Sequence, residues 1–97
     1  MIRSFRNQAT ADVFADRRTD AARRLGLGEA WKVARRKLIY LHNAHDLRDL
    51  RRPPANRLES LKGKRKGQHS IRVNDQHRVC SVWEAGGADE VEITDYH

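Results

Sequence analysis

Apolar residues recur along this chain with two different periods, and the change from one to the other divides it into a helical half and a strand half. Ile2 and Phe5 bracket small or charged residues ahead of the polar Asn7-Gln8, the pattern of a short first strand over residues 2–5. From Gln8 the spacing turns helical. Phe14, Ala21 and Leu25 recur until Gly26 and Gly28 stop the run, which predicts a first helix that Thr19 can break. The most regular period follows over 29–45, with Trp31, Ala34, Leu38 and Leu41 on one face and Lys32, Arg35 and Arg36 outside it, so a second helix is predicted to pack through that face. Pro53-Pro54 fits neither a helix interior nor a central strand and places 46–56 in a surface loop. Beyond the loop the period becomes two. His69-Ser70-Ile71-Arg72-Val73, Arg78-Val79-Cys80-Ser81-Val82-Trp83 and Glu90-Val91-Glu92-Ile93-Thr94 read as three strands. The turn-forming connections Asn74-Asp75-Gln76 and Ala85-Gly86-Gly87-Ala88 are too short for crossovers, so the strands form an antiparallel meander. The expected fold class is α+β: a short N-terminal strand, two helices, then a three-stranded antiparallel meander with the helices on one sheet face.

Size narrows this further. A chain of 97 residues supports one modest core, so residues 1–97 are read as a single domain. The lone Cys80 has no internal partner for a disulfide, and Met1-Ile2-Arg3-Ser4-Phe5-Arg6 lacks the apolar run of a secretion signal. No stretch approaches the roughly 20 apolar residues that span a bilayer. A cytoplasmic protein with no membrane partner is expected.

Charge changes the picture more than composition does. Net charge is +7, and it is unevenly spread: residues 51–78 carry 9 Lys/Arg against 2 Asp/Glu, whereas residues 79–97 carry none against 5. A cationic block of this kind attracts phosphate backbones through counterion release, and it equally makes a solvated face that aids solubility. Within it, Gly63 and Gly67 bracket Lys64-Arg65-Lys66, displaying the charges on a turn at the start of a strand. That turn is either a phosphate clamp or a charged tip that resists edge pairing. The next strands add Arg72 and Arg78, and the chain as given closes on Asp95-Tyr96-His97.

Cutting RNA without a metal requires a base for the 2′-hydroxyl proton, a cation for the charged phosphorane and an acid for the departing 5′-oxygen. His97 suits either proton role near neutral pH, Tyr96 can donate a hydrogen bond or stack on a base, and arginine or lysine can steady the phosphorane. His42 and His45, three apart on the second predicted helix, have a chelating spacing but lack cysteine pairs or a second ligand set, so no metal and no cofactor is expected.

Several blocks in order resemble the HigB-like toxins of the RelE/ParE superfamily: Arg57-Leu58-Glu59-Ser60-Leu61-Lys62-Gly63, Ser70-Ile71-Arg72-Val73-Asn74-Asp75-Gln76, Arg78-Val79-Cys80 and Asp95-Tyr96-His97. The resemblance implies a RelE-like fold and a toxin of a type II toxin–antitoxin system that cleaves messenger RNA on the ribosome by 2′-hydroxyl attack. It also implies neutralisation by a helix-turn-helix, HigA-like antitoxin, with operator DNA contacted only through that antitoxin. By position, Lys62, Arg78, Asp95, Tyr96 and His97 take the catalytic roles, and Arg57, Lys64, Arg65, Lys66, Arg72 and His69 the RNA contacts. Some relatives carry histidine three residues before the lysine where this chain has Glu59, which leaves the role of that position open. His69 and His77 stand where the family often has an aromatic ring, and each either stacks on a base or packs within its strand. Two other functions compete: a non-catalytic nucleic-acid-binding module using the same basic loop, and a gyrase inhibitor of the ParE kind. Neither needs the titratable group at 95–97.

Overall fold

A computed structural model describes residues 1–95. Helices α1 (Gln8–Phe14), α2 (Asp20–Arg23) and α3 (Trp31–Asn43) precede strands β1 (Glu59–Ser60), β2 (His69–Arg72), β3 (His77–Glu84) and β4 (Gly87–Asp95). The strands form one antiparallel sheet in the order β1-β2-β3-β4. The mixed class and the meander are those the sequence predicts. The differences have local physical causes.

The first predicted helix is two. Asn7 caps α1 by accepting from the Thr10 amide, and Asp16 then takes a left-handed backbone (φ 58°) that ends the run. Thr19 restarts it by accepting from the Ala22 amide. The two pieces are tied through Asp12, whose carboxylate accepts from Gln8 Nε2 (2.8 Å) and Thr19 Oγ1 (2.6 Å). These two hydrogen bonds hold the Asp12 carboxyl below its ordinary value of 3.8.

Segment 2–5 is not a regular strand. It runs parallel to β4 and touches it through isolated bridges, Ile2 to Ala88 and Phe5 to Val91. Between Cys80–Glu92 and Val82–Asp89, β3 has one residue where β4 has two. This bulge, with Glu90 at φ 51°, bends β4 and interrupts the ladder along its outer edge. The meander also gains a fourth, two-residue strand, β1, in the stretch between the prolines and the basic turn at Gly63–Gly67.

The loop 46–56 is more ordered than its prolines suggest. It makes two 3-10 turns, Leu47–Arg51 and Pro54–Asn56, the first closed by a reciprocal Asp46/Asp49 capping box. Leu50 and Asn56 are buried. Asn56 Oδ1 accepts from Lys37 Nζ on α3 (2.5 Å), while its Nδ2 donates to the Leu50 and Arg52 carbonyls (3.1 and 3.3 Å).

The core lies between α3 and one sheet face. Trp31, Ala34, Leu38 and Leu41 meet Ile71, Val79, Val91 and Ile93, all nearly inaccessible. Thr10 fixes α1 to β4 by accepting from the Ile93 amide (3.0 Å). Since side chains alternate across a strand, the opposite face receives Ser70, Arg72, Arg78, Cys80, Glu92 and Thr94.

Two outcomes follow for stability. Asn56→Ala strands Lys37 and two carbonyls, and urea unfolding should show a loss of about 1–3 kcal/mol. Because the folded-state pKa of Asp12 is depressed, its contribution is present above the unfolded value and lost as pH falls through the folded one. The stability gap between wild type and Asp12→Asn should therefore be full at neutral pH and shrink on acidification below about pH 4 in chemical denaturation across a pH series.

Candidate nucleic-acid interface

Register assembles the site. Arg72 pairs with Arg78 and Arg78 with Thr94, and the neighbouring row is Glu59, Ser70, Cys80 and Glu92. Cross-strand partners share a face, so these side chains form two adjacent rows on the sheet surface away from the helices.

Arg78 is the centre of the arrangement. Its residue is 8% exposed, an unusual depth for a guanidinium in a chain of this size. Nε donates to Ser70 Oγ (2.7 Å), and Nη2 donates to the Arg57 carbonyl (2.7 Å) and, at longer range, the Ser70 carbonyl (3.4 Å). The Glu59 carboxylate stands 3.9 Å from Nη2. The Arg57 carbonyl is available because that residue takes a left-handed conformation (φ 45°) directly after the buried Asn56. A cation held in place from several sides does not reorganise when an anion arrives above the sheet.

The basic turn divides in two. Gly63–Arg65 forms a single 3-10 turn in which Lys62, Lys64 and Lys66 stay exposed. Arg65 folds back over the sheet, donating through Nη1 to Gln68 Oε1 and Glu92 Oε1, each at 3.1 Å. Glu92 also faces Arg6 at 4.0 Å. Arg72 pairs with Asp75 across the β2–β3 turn. Cys80, fully buried beneath this layer, has its thiol pushed up by burial, against a smaller lowering effect of Arg65. It is a packing residue at neutral pH, since its thiolate is disfavoured.

Not every predicted residue joins this surface. His69 pairs with Ser81 and lies on the helix-facing side with Ile71 and Val79. Its Nε2 is 3.1 Å from Ser60 Oγ, and both border a crevice of about 170 Å³ with Leu47, Arg48, Arg51 and Leu58. His77 is buried and donates from Nε2 to the Leu25 carbonyl (2.9 Å), the strand-packing alternative of the two. Asp95 sits opposite His77 at the end of β4, beside the Arg78–Thr94 pair, and accepts from Gln76 Nε2 (2.8 Å). Tyr96 and His97 lie outside the described residues. His42 accepts from the Ile2 amide through Nδ1 (3.1 Å), which ties one of the two helix histidines to the N-terminal segment. Among the described residues, no group of three or more His, Cys, Asp or Glu is placed to hold a metal ion, and no helix is long and apolar enough to cross a membrane.

Sequence reasoning missed Ser70, Glu92, Arg6 and Asn56. The period of two does put Ser70 on the side of Arg72, but only the register brings Glu92 beneath Arg65. Glu92→Gln should release the turn. Amide hydrogen exchange over 62–68 is expected to speed up while that of β3 stays unchanged.

Comparison with known proteins is consistent from three directions. The family model of HigB-like toxins, described as the RelE-like toxin of the type II toxin–antitoxin system HigB, matches residues 3–97. The toxin HigB-1 of Vibrio cholerae is 51% identical over 53 residues, covering 55% of this chain and 56% of that protein. An uncharacterized protein of Haemophilus influenzae is 47% identical over 54 residues, covering 56% of this chain and 54% of that one. The alignments thus span about half the length of these relatives. In structure, the chain is similar to one from the YoeB-YefM complex of Staphylococcus aureus, with a TM-score of 0.55 and 17% identity over 100% of this chain and 98% of that one. At that identity the likeness is one of fold.

Proposed function

Since the chain belongs to the HigB-like toxins, the RelE-like toxins of type II toxin–antitoxin systems, we propose that it is an endoribonuclease that cuts messenger RNA on the ribosome without a metal. The observation that carries this reading is Arg78, a nearly buried guanidinium held by Ser70 and the Arg57 carbonyl on a sheet face flanked by exposed lysines. A site built only to hold phosphates gains little from sinking its central cation, because exposed lysines supply that attraction. Charge that develops during a reaction is better met by a fixed cation.

In the proposed reaction the 2′-hydroxyl oxygen attacks the adjacent phosphorus and gives its proton to a base. The bond to the 5′-oxygen breaks as that oxygen takes a proton from an acid. The products are a 2′,3′-cyclic phosphate and a free 5′-hydroxyl. Arg78 stabilises the phosphorane, with Lys62, two residues past β1, as a second cation. Asp95, Tyr96 and His97 supply the proton-transfer group, His97 acting as acid or base. Arg57, Lys64, Lys66 and Arg72 guide the strand over the face, and Arg65 joins them on leaving Glu92. His69 contacts RNA only from the β1 edge, since its ring lies on the other side of the sheet from Arg78. Residues 1–97 act as one domain in the cytoplasm. A HigA-like helix-turn-helix antitoxin neutralises it and alone carries the contact to operator DNA.

The test is single-turnover cleavage of a ribosome-bound message at saturating protein. Arg78→Ala and His97→Ala should each slow cleavage by about 10²–10³-fold while ribosome binding persists. Wild-type rates in both variants would take Arg78 and His97 out of the chemistry, and a message left uncut by the wild type would leave a non-catalytic binding module as the function. Intact transcripts together with a DNA-damage response would point to gyrase.

A further inference from the structure

A second cavity lies away from the sheet face, between the α1–α2 turn and the solvent side of α3. It is a groove of about 520 Å³ lined by Asp16, Arg18, Trp31, Lys32, Arg35, Arg36 and Ile39. Two of its cations are set in place by the fold. The Arg18 guanidinium lies over the Trp31 ring, 4.4 Å from its centroid, and Arg35 Nε donates to the Phe14 carbonyl (3.1 Å). The one acid, Asp16, is engaged with Trp31 Nε1 (2.8 Å).

Helix α3 contains no Asp or Glu at all. Exposed helices ordinarily intersperse acids at i±4, and Lys32 with Arg36 is instead a like-charge pair at that spacing, which costs helix stability. Among the described residues no acid forms an ion pair with either, and an external anion would relieve the repulsion. The lining is also mixed. An apolar floor of Trp31 and Ile39 between cations has little use for phosphates alone, but it fits a strand whose bases are unstacked. Arg18 is exposed with its guanidinium carbon over the indole, and a planar guanidinium in that position can stack a base as well.

We propose that this groove is a second RNA site, an exosite for single-stranded RNA in which a base stacks on Arg18 and successive phosphates meet Lys32, Arg35 and Arg36. It takes a segment other than the one cleaved, because the sheet face carrying Arg78 points away from the helices. The proposal rests on the RNA-directed reading above, yet it is separable from cleavage.

The experiment is fluorescence anisotropy with a short 5′-labelled, 2′-O-methylated RNA oligonucleotide, which lacks the attacking hydroxyl and cannot be cut. Binding is measured across a salt series. Lys32→Ala/Arg36→Ala should lower the salt slope by about 1.4, at roughly 0.7 per lost single-strand phosphate contact. Arg18→Lys, which keeps the charge and loses the plane, should weaken binding roughly tenfold with little change in slope. Arg23→Ala/Arg24→Ala removes two exposed charges outside the groove and should change neither. All substituted residues are exposed, and unchanged thermal melting checks their folding. Equal losses in the Arg23/Arg24 control would show non-specific attraction only and overturn the proposal. So would unchanged binding in the groove variants. If those variants instead lose binding to labelled polyglutamate while RNA binding is untouched, the groove takes an acidic protein segment and the RNA assignment falls. Failure here leaves the Arg78 cleavage result intact, and failure of cleavage leaves this binding result intact.

Discussion

The hydrogen bond between Lys37 and Asn56 is the constraint from which the site is built. A lysine that is 6% exposed has given up most of its hydration, and burial, with Arg36 and Arg72 nearby, lowers its pKa. Asn56 offsets that cost with its side-chain oxygen and uses its amide to hold two carbonyls of the preceding turn. One side chain therefore fixes α3, the 3-10 turns and the entry to β1 at once. The next residue, Arg57, is forced into a left-handed turn, and that turn presents its carbonyl to Arg78. The path from helix core to the proposed reacting cation is four residues long: Lys37, Asn56, Arg57, Arg78.

On the sheet side the same logic runs through acceptors. Arg78 is held by Ser70 and the Arg57 carbonyl with the Glu59 carboxylate 3.9 Å away, while Arg65 and Arg72 are each paired with a carboxylate at closer range. The face thus contains cations in two conditions. One is sunk into the sheet and fixed from several sides, and the others lie nearer solvent, each against a carboxylate that an anion can displace.

Much of this was legible in the chain, and the limits are physical. Periodicity places the α3 face and the three long strands, because both depend on local spacing. The break at Thr19 is signalled by a capping residue. Two-residue β1 escapes notice because it has no alternation to read, and its pairing with His69 and Ser70 is set by tertiary contact. Arg78, Arg72 and Lys62 stand out through charge and family resemblance. Asn56 does not, since a polar residue after two prolines looks like an ordinary loop position until its burial is known. The bulge at Glu90 breaks a pattern that would otherwise make 2–5 a full strand, and no glycine or proline marks it.

That bulge and the segment beside it also shape how the molecule meets other chains. Open sheet edges are templates for further strands, and here both edges are obstructed. Residues 1–6 lie along β4 and take up its outward amides and carbonyls, Arg3 and Arg6 donating to Ala88 and Val91. At the opposite side the edge strand has only two residues, and the Pro54–Asn56 turn packs against β2 beyond it. A meander that exposes so little ladder is poorly suited to edge-to-edge polymerisation, so a small sheet with a highly charged face can be crowded among its own copies without templating their aggregation.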